Sequence, residues 1–582
     1  MPIFLIDFTD PTQPGAPRLR QAFGAPRTTL IAQALHEVPA VLQAVEAAAQ
    51  AGAWVVGQLR YEAAGAFDPA LRTHAAEGPL AWFGVFDAPE PWPEPLAPQG
   101  AAALHWEQEL ERATFDAAIA QIHAAIAAGV CYQVNYTAPL QGRWQGDALA
   151  LFAALQRAQP GGYAAYLDMG EEKTLSVSPE LFFDWRGGQL LARPMKGTAP
   201  RGATPEADAA QAAHLRSSPK ERAENVMIVD LLRNDLSRVA APHSVRVPRL
   251  FHTEALPTVW QMSSDVVART RPDTRLVEVF AALFPCGSVT GAPKVSAMQQ
   301  IHALEPAPRG VYCGAVGVVR PDGAGGIAAT FNVPIRTVAL RGAQARCGIG
   351  SGITSGAVAS AEWAEWQHKR AFVERASAPF DLLETLALEG GVLRHAPEHR
   401  ARLAGAAAHF GVPWDEAAVQ ACLQGLCAAH PDGLWRVRLL LGPDGQPRAE
   451  AFALGATATP VRLQLAPRAF AEAHSEFVRF KTSRRAHYAA FEPTQPGVFD
   501  TVLWNADGEI TECTRGNVAA LLDGRWVTPP LSSGLLPGVG RAVALREGRV
   551  EEAVLRVSDV PRVQAWAFVN SLRGWLPAQL GT

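Results

Sequence analysis

Two lysines lie in sequence contexts that suit a covalent catalytic role. Lys196 stands in the segment Arg193-Pro-Met-Lys-Gly-Thr198, and Lys481 stands in Arg479-Phe-Lys-Thr-Ser483. A lysine amine becomes a nucleophile when its surroundings lower its pKa, and it can then form a covalent bond with a substrate or a carbonyl cofactor. Because the two lysines lie in separate halves of the chain, we expect two catalytic centres in one polypeptide.

Four glutamates in the first half form two pairs with the same spacing. Glu221 and Glu224 are three residues apart, and Glu362 and Glu365 repeat that spacing. On a helix each pair shares one face. Two such faces opposite each other would supply the hard oxygen ligands that suit Mg²⁺. Either pair taken alone is more often a solvated helix face, so the spacing by itself leaves both interpretations open.

Two glycine-rich segments lie between these glutamate pairs. Residues 285–298 run from a Gly-rich loop into a predicted helix, whose free backbone N–H groups could hold a carboxylate. This loop lacks the Gly-Lys-Ser/Thr ending of a nucleotide P-loop. The second segment, 347–356, would more often be a structural turn if it stood alone.

Length and composition limit the class of protein. The 582 residues exceed what one hydrophobic core usually organises, and 48% of them are hydrophobic, so we expect at least two packed domains. The net charge of -4, without long runs of Lys or Arg, indicates neither nucleic acid nor a membrane as a partner. Small molecules are therefore the expected partners. The N-terminus does not resemble a signal peptide. The seven cysteines are scattered without metal or redox spacing, which favours a reducing cytoplasm.

The elements that must position the candidate residues mix helices and strands without regular alternation. The pattern predicts a helix over 117–128 that Gly129 caps, followed by a strand from residue 130, and further strands near 190–193 and 314–320. A helical pattern stops before Pro379, where a new apolar pattern begins. We therefore expect a first domain over 1–374, a linker at 375–379 and a second domain over 380–582.

The ordered motifs of the first domain resemble those of the chorismate-utilising enzymes, which include anthranilate, aminodeoxychorismate, isochorismate and salicylate synthases. The resemblance spans most of residues 110–374, and the motifs that carry it lie at 132–135, 178–182, 194–198, 224–235, 287–294 and 348–353. It implies an α+β fold with large antiparallel sheets around a buried site, and chorismate as the substrate.

The same resemblance implies a role for each candidate residue of the first domain. Glu224 and Glu365 would be the main Mg²⁺ ligands, supported by Glu221 and Glu362. Glu180 would be the general acid that protonates the departing C4 hydroxyl. The substrate would be bound by Ser288, Tyr312, Arg336, Gly348, Gly350, Lys369 and Gln261.

Lys196 indicates the branch of the family. Anthranilate synthases usually have alanine at this position, whereas aminodeoxychorismate synthases have a lysine that is thought to attack C2 of chorismate. Gln133 also favours amination, because the water-using members have a lysine base there. Gln261 departs from the histidine of anthranilate synthases, and an amide cannot carry charge. The sequence has no glutaminase module, so ammonia would come from solution or from a separate glutamine amidotransferase subunit.

The second domain resembles the class IV, pyridoxal-phosphate-dependent aminotransferases and lyases, which have a fold of two α+β subdomains. The motifs lie at 396–403, 477–488, 505–517, 526–531, 534–541 and 568–575. The resemblance implies that Lys481 binds pyridoxal 5'-phosphate covalently, that Glu512 pairs with the ring nitrogen, and that Arg402 holds the phosphate. It also implies a homodimer through this domain and a wider cofactor site that includes Tyr488, Asn517, Val539, Gly540, Asn570 and Ser571.

The Asn570-Ser-Leu-Arg-Gly574 segment resembles aminodeoxychorismate lyases more than aminotransferases. The expected function is therefore synthesis of 4-aminobenzoate by amination of chorismate and then elimination of pyruvate. One alternative is an anthranilate synthase-like subunit fused to an aminotransferase. Another is a non-catalytic protein that binds chorismate or pyridoxal phosphate, although such a protein would not need Lys196, Glu180 and Lys481 together.

Overall fold

The structure is a computed structural model, and it describes the chain except for residues 1–3, 13–14, 94–101, 109, 201–204, 256–258, 378–379, 411, 494 and 582. The chain divides into two compact units, Met1–Ala378 and Pro379–Thr582. Among the described residues, no helix combines the length and the apolar character needed to cross a bilayer.

The first unit contains two large sheets, and every strand pairing described in them is antiparallel. Its strands are β1 (Phe4–Phe8), β2 (Leu19–Phe23), β3 (Thr28–Ala32), β4 (Trp54–Leu59), β5 (Ala81–Phe86), β6 (Glu90–Pro91), β7 (Ala102–Gln108), β8 (Gln133–Gly146), β9 (Tyr163–Asp168), β10 (Glu172–Ser178), β11 (Leu181–Arg186), β12 (Gln189–Arg193), β13 (Met195–Pro200), β14 (Arg246–Ala255), β15 (Val259–Arg269), β16 (Gly291–Ala292), β17 (Ala315–Pro321), β18 (Ile327–Asn332), β19 (Thr337–Arg341) and β20 (Gln344–Thr354). Its helices are α1 (Val38–Gln50), α2 (Arg112–Ala127), α3 (Ala148–Ala158), α4 (Pro205–Ser217), α5 (Pro219–Ser237), α6 (Leu276–Leu283), α7 (Lys294–Leu304) and α8 (Ala359–Ser377).

The sheets form the two middle layers of this unit. Within the described residues one sheet has the order β16-β8-β20-β19-β10-β9-β1-β2-β6 with β7 beside β8, and the other has β13-β15-β12-β11-β18-β17-β4-β5-β3 with β14 beside β15. Apolar side chains of both sheets, such as Phe4 and Val316, pack together in one core cluster. Helices α2, α3 and α8 cover the outer face of the first sheet, and α1, α5 and α6 cover that of the second. The predicted α+β class with large antiparallel sheets is confirmed for this unit.

Local sequence explains the elements that carry the candidate residues. Helix α5 begins after Ser218, whose hydroxyl accepts a hydrogen bond from the N–H of Glu221 at 3.4 Å, and Pro219 fits its first turn. Helix α8 continues to Ser377 because Phe372, Val373 and Ala376 are buried in the core. Residues 375–377 of the predicted linker are therefore helical, and residues 378–379 lie outside the described part.

The second unit has two separate sheets. Its strands are β21 (Leu382–Glu389), β22 (Val392–Leu393), β23 (Leu434–Leu441), β24 (Pro447–Ala453), β25 (Val461–Leu465), β26 (Asp500–Trp504), β27 (Ile510–Cys513), β28 (Asn517–Leu522), β29 (Arg525–Thr528), β30 (Glu551–Glu552), β31 (Ala565–Asn570) and β32 (Gly574–Gly581). Its helices are α9 (Ala396–Phe410), α10 (Glu416–Ala429), α11 (Glu476–Arg479), α12 (Ala486–Ala489) and α13 (Val539–Arg546). In the part that the structure describes, the smaller sheet has the order β22-β21-β23-β24 and the larger one β27-β26-β25-β32-β31-β28-β29-β30. Helices α9 and α10 pack on the smaller sheet, so two α+β subdomains are present as expected.

Candidate active site

Glu180 lies in the turn between β10 and β11, and only 3% of its surface is exposed. Its backbone is fixed from both sides, because its N–H donates to the Ser178 hydroxyl and its carbonyl accepts from the N–H of Val333, each at 3.1 Å. The Ser288 hydroxyl donates to Glu180 Oε1 at 2.6 Å. Burial raises the pKa of Glu180 to about 7, although the Ser288 hydrogen bond and the nearby charge of Lys196 oppose the rise. A carboxyl with this pKa holds a proton near neutral pH and can give it to a leaving group.

Lys196 is presented by a bulge in β13. The pairing of β13 with β15 shifts between Met195 and Thr198, so Lys196 and Gly197 lie in the bulge. Gly197 has a φ of 94°, a conformation that favours glycine. Gln261 of β15 holds this bulge, since its amide donates to the Gly197 carbonyl at 2.8 Å and accepts from the Thr198 hydroxyl at 3.2 Å. Gln261 therefore contacts the backbone that aims Lys196.

The Lys196 amine lies between acidic and amide groups. Its charge opposes the rise that burial causes in the pKa values of Glu180 and Glu221, and it adds to the lowering of the pKa of Glu365 by Lys369. A Cβ atom on Gly352 would lie 2.3 Å from Lys196 Nζ and 2.9 Å from Gln133 Nε2, which places the amine and the amide against the same glycine. Gln133 is fully buried, and within the described residues neither polar atom of its side chain has a hydrogen-bond partner. A polar ligand next to Lys196 would satisfy this amide.

The two glutamate pairs lie on helices, as predicted. Glu221 and Glu224 belong to α5, and Glu362 and Glu365 belong to α8. Strand β20 contacts one glutamate of each helix, because the Thr354 hydroxyl donates to Glu224 at 3.3 Å and the Ser351 hydroxyl donates to Glu362 at 2.6 Å. This strand therefore brings the two acidic helix faces close together.

These four glutamates could bind a cation, but their side-chain positions do not define where it would lie. Burial raises the pKa values of Glu221 and Glu362, and neighbouring carboxylates add to both shifts. The ion pair with Lys369 at 2.7 Å lowers the pKa of Glu365. Over the described residues, no group of three His, Cys, Asp or Glu side chains could hold a metal ion as placed. The oxygen donors suit Mg²⁺, and the metal site stays a prediction.

The two predicted substrate cations lie beside β20, since Arg336 directly precedes its antiparallel neighbour β19 and Lys369 contacts Gly350. Arg336 has a φ of 51°, which is uncommon for a residue with a side chain. Its guanidinium donates to Gln159 at 2.9 Å and lies 5.3 Å from the centre of the Phe372 ring. Burial lowers its pKa to about 10, and it has no carboxylate partner among the described side chains. Lys369 instead contacts Glu365 and donates to the Gly350 carbonyl at 2.9 Å.

Tyr312 and Gly348 fit closely together. A Cβ on Gly348 would lie 2.3 Å from the Tyr312 ring, so only glycine allows the ring to lie flat against β20. Tyr312 is buried, and burial raises its pKa well above the ordinary value for a phenol. The ring therefore presents a neutral hydroxyl, which can donate a hydrogen bond to an anionic ligand.

The buried ion pair of Arg309 and Glu305, which no sequence motif marks, supports three parts of this site. Arg309 donates to Glu305 at 2.6 and 2.8 Å, to the Val289 carbonyl at 2.8 Å and to the Asn135 carbonyl at 2.7 Å. Val289 follows Ser288, and Asn135 lies two residues after Gln133 on β8. Arg309 thus links the loop of Ser288 to the strand of Gln133. Tyr312 lies three residues after Arg309, so the same pair also holds the segment of Tyr312 in place.

Replacing Arg309 with alanine should destabilise the first unit by about 3–5 kcal/mol, because it leaves Glu305 buried without its partner. Urea unfolding measures the loss. Arg112→Ala is the matched control, since it breaks an exposed pair with Asp116 at 2.8 Å and should cost about 0.5 kcal/mol or less. Equal losses in the two variants would contradict a supporting role for Arg309.

In the second unit, Lys481 follows helix α11 and is anchored to the smaller sheet. Its carbonyl accepts a hydrogen bond from the N–H of Leu383 at 3.0 Å, and Thr482 forms a bridge with Leu382. Burial lowers the pKa of Lys481 to about 7, and the charges of Arg485 and Arg402 act in the same direction. A large fraction of this amine is therefore unprotonated at neutral pH and able to react with a carbonyl group.

Glu512 lies on β27 with its carboxyl buried. The Tyr488 hydroxyl donates to it at 2.7 Å, and the N–H of Leu536 donates at 3.1 Å. Burial raises its pKa to about 7, against the effect of these hydrogen bonds. Tyr488 is itself buried and stacks on Phe470 with ring centres 5.4 Å apart. A protonated ring nitrogen of a cofactor would stabilise the charged form of Glu512.

The turn that leads into α13 belongs to the predicted cofactor site, and its backbone lies close to that of the Asn570–Ser571 turn. Helix α13 begins at Val539, and the first N–H groups of a helix have no acceptor within it. A Cβ on Gly540 would lie 2.5 Å from the carbonyl carbon of Asn570 and 2.8 Å from the nitrogen of Ser571. A side chain at position 540 would therefore collide with the backbone of the Asn570–Ser571 turn, so glycine is required there. The Asn517 amide donates to the Leu536 carbonyl at 3.0 Å. The structure thus brings these predicted residues together.

Arg402 lies beside this turn, but much of its hydrogen-bonding capacity is used by Glu384. It donates to Glu384 at 2.6 and 2.8 Å and to the Pro537 carbonyl at 3.0 Å. His399 contacts Glu384 at 2.6 Å and the Ser571 hydroxyl at 2.7 Å. Burial would raise the pKa of Glu384, but Arg402 and His399 outweigh it and hold the pKa at about 2. The sequence predicted no role for Glu384 or His399, although Glu384 occupies an inward position between Leu382 and Leu386 in β21.

Comparison with known proteins agrees with this geometry. The model of the chorismate binding enzyme family matches residues 9–375, and that of the amino-transferase class IV family matches residues 381–580. The chain therefore belongs to the chorismate-binding enzymes, with a class IV aminotransferase fold in its second unit. Both predicted fold assignments are confirmed.

Two curated relatives each match a little under half of this chain. Aminodeoxychorismate synthase component 1 of Klebsiella aerogenes is 39% identical over 286 residues, which are 49% of this chain and 61% of that protein. Anthranilate synthase component 1 of Methanothermobacter thermautotrophicus is 37% identical over 42% of this chain and 52% of its own. The chain thus spans about half to three fifths of these relatives. A crystal structure of a putative isochorismate synthase from Bacillus anthracis shares the fold, with a TM-score of 0.52 at 20% identity, covering 64% of this chain and 95% of its own.

Proposed function

We propose that this chain makes 4-aminobenzoate from chorismate in two consecutive reactions. The observation that carries the proposal is the position of the Lys196 amine, which lies against the same glycine as the unpartnered amide of Gln133 and whose charge acts on the buried carboxyl of Glu180. A lysine nucleophile next to a protonated acid suits replacement of a hydroxyl group by an amine. The likeness to aminodeoxychorismate synthase component 1 supports the same reaction.

In the first reaction, Lys196 would attack C2 of chorismate while Glu180 gives its proton to the departing C4 hydroxyl, which leaves as water. Ammonia, held by the Gln133 amide, would then add at C4 and expel Lys196. Arg336 would bind a substrate carboxylate with Tyr312 and Ser288 nearby. Glu221, Glu224, Glu362 and Glu365 would hold Mg²⁺, which supplies positive charge to a substrate carboxylate when bound.

In the second reaction, 4-amino-4-deoxychorismate would lose pyruvate in the second unit. Pyridoxal phosphate, when bound, supplies an electron sink for the amine substrate. Its covalent attachment would use Lys481, and Glu512 and the start of α13 would hold its ring nitrogen and phosphate. Lys481, with a pKa of about 7, would take the proton from C4. Loss of the enolpyruvyl group from C3 then makes the ring aromatic.

Ammonia would come from a separate glutamine amidotransferase, which the "component 1" name of the relatives supports. We also propose that the chain forms a homodimer through the second unit. We place it in the cytoplasm, which its seven unpaired cysteines support.

The direct test is to incubate the full chain with chorismate, Mg²⁺, pyridoxal phosphate and an ammonium salt, and to identify products by mass spectrometry. Formation of 4-aminobenzoate and pyruvate is the expected result. Anthranilate would instead indicate the anthranilate synthase reaction. Unchanged chorismate, with a glutamine amidotransferase also supplied, would show that the first unit is not a catalyst.

The first reaction should become slower as the pH rises through about 7, because Glu180 must be protonated to act as an acid and its pKa is about 7. Measuring kcat/KM for chorismate from pH 5.5 to 9 tests this. In Glu180→Gln the rate should fall by about 10²–10⁴-fold, and this descending limb should be lost. A descending limb that persists in Glu180→Gln would assign it to another group.

A further inference from the structure

A cluster of arginines lies beside the Asn570–Ser571 turn of the second unit. Arg573 follows this turn, and its backbone N–H donates to the Asn570 side-chain oxygen at 2.8 Å. The Asn570 amide donates in turn to the carbonyl of Arg515 at 3.4 Å. Since Gly540 of α13 packs on the backbone of Asn570, these two arginines flank the candidate cofactor site.

Arg436, at an exposed position of β23, and Arg573 both contact the stretch 452–457 at the end of β24. The Arg573 guanidinium donates to the Gly455 carbonyl at 3.4 Å and contacts the Thr457 hydroxyl, both in the segment that follows β24. In the register of this sheet Arg436 pairs with Phe452, and its guanidinium lies 4.7 Å from the centre of that ring. Burial lowers the pKa of Arg573, and the charges of Arg515 and Arg436 add to this effect, as expected for three neighbouring cations.

The cluster carries more positive charge than the protein neutralises. Among the described side chains neither Arg573 nor Arg436 has a carboxylate partner, while Arg515 has Asp500 at 3.4 Å. Arg438, two residues after Arg436 on the same strand, lies 5.5 Å from the same Phe452 ring but is paired with Glu450. Like charges held together without counter-charges repel each other, and a bound anion would remove that repulsion. The structure thus distinguishes a neutralised arginine from two that are available to an anion.

We propose that Arg436 and Arg573, with Arg515 beside them, recognise the substrate carboxylates of the second unit and select a dicarboxylate over a monocarboxylate. The inference rests on the proposed function, whose second substrate carries one carboxylate on the ring and one on the enolpyruvyl group. An ordinary amino acid offers one carboxylate and would leave part of the cluster unpaired. The arginines therefore favour the lyase substrate over the substrates of common aminotransferases.

Kinetics of pyruvate release from 4-amino-4-deoxychorismate test this in the full chain loaded with pyridoxal phosphate. Arg573→Met and Arg436→Met should each raise KM by about 10–100-fold, which corresponds to loss of one hydrogen-bonded ion pair, and should change kcat far less. Arg438→Met is the matched control and should leave KM within about 2-fold. An unchanged cofactor absorbance in all three variants shows that the unit has folded. An unchanged KM in both test variants, or an equal rise in the control, would overturn the inference.

Calorimetric titration with benzene-1,3-dicarboxylate and with benzoate gives a second result that does not depend on turnover. The wild type should bind the dicarboxylate at least about 10-fold more tightly than benzoate, and Arg573→Met should lose this preference. If the wild type releases no pyruvate but keeps the preference, the proposed lyase reaction fails and the arginine site stands. If it releases pyruvate and shows no preference, the arginine site alone is wrong.

Discussion

Lys481→Ala is expected to abolish pyruvate release and to remove the near-ultraviolet to blue absorbance of the cofactor-loaded protein. The buried amine of Lys481 has a pKa of about 7, so it can serve both as the point of cofactor attachment and as the base at C4. Loss of the base alone should slow the reaction by about 10²–10⁴-fold. Because the first unit is unchanged, 4-amino-4-deoxychorismate should accumulate when chorismate and ammonium are supplied.

The position of cofactor attachment can be tested without activity. Lys481 is the only lysine in residues 379–582, so borohydride reduction of the loaded protein followed by peptide mapping has one lysine to find in the second unit. Lys173→Ala, which breaks a pair with Asp168 in the first unit, is the control and should retain both the colour and pyruvate release. Label on the first unit alone, or colour that survives in Lys481→Ala, would contradict the assignment.

Lys196→Ala should stop formation of 4-amino-4-deoxychorismate while leaving the second unit active on added 4-amino-4-deoxychorismate. Lys196 lies in the bulge of β13 that the Gln261 amide holds, and alanine removes the group that would attack C2. We expect a loss of at least about 10³-fold, as for removal of other covalent catalysts. The measurement is product formation by mass spectrometry, again with Lys173→Ala as the control.

Covalent catalysis by Lys196 makes a second prediction. With chorismate and Mg²⁺ but no ammonium, the intact wild-type protein should gain the mass of chorismate less one water, and Lys196→Ala should gain nothing. A protein that aminates chorismate at a normal rate without Lys196 would show that ammonia attacks directly. An adduct on the alanine variant would place the nucleophile elsewhere.

The sequence predicted the residues that belong to contiguous motifs well. The helix that ends before Gly129, the strands near 190–193 and 315–320 and the helical glutamate pairs are all present, because each has a regular apolar period or a clear end signal. The bulge at Lys196 could not be predicted, since it depends on the register of β13 against β15, which lies about 65 residues further along the chain.

The sequence did not predict the buried contacts between polar residues that lie far apart in the chain. Glu384, His399 and Ser571 form one buried chain, but Ser571 is 172 residues from His399. Taken singly, an acidic residue in a strand or a histidine in a helix is an ordinary finding. The same holds for Arg309, whose acceptors lie on two separate elements. Only the tertiary fold shows that these residues share a buried network, so no local pattern could have identified them.

The two buried carboxyls have a consequence for the evolution of the protein. Glu180 and Glu512 each have a pKa near 7 instead of the usual 4.5, so at pH values above this range each destabilises the unliganded fold by on the order of 3 kcal/mol. A neutral glutamine of the same shape would avoid this penalty. Glutamine at either position would therefore stabilise the chain at a residue that the proposed chemistry needs, and only selection for activity would keep these residues acidic.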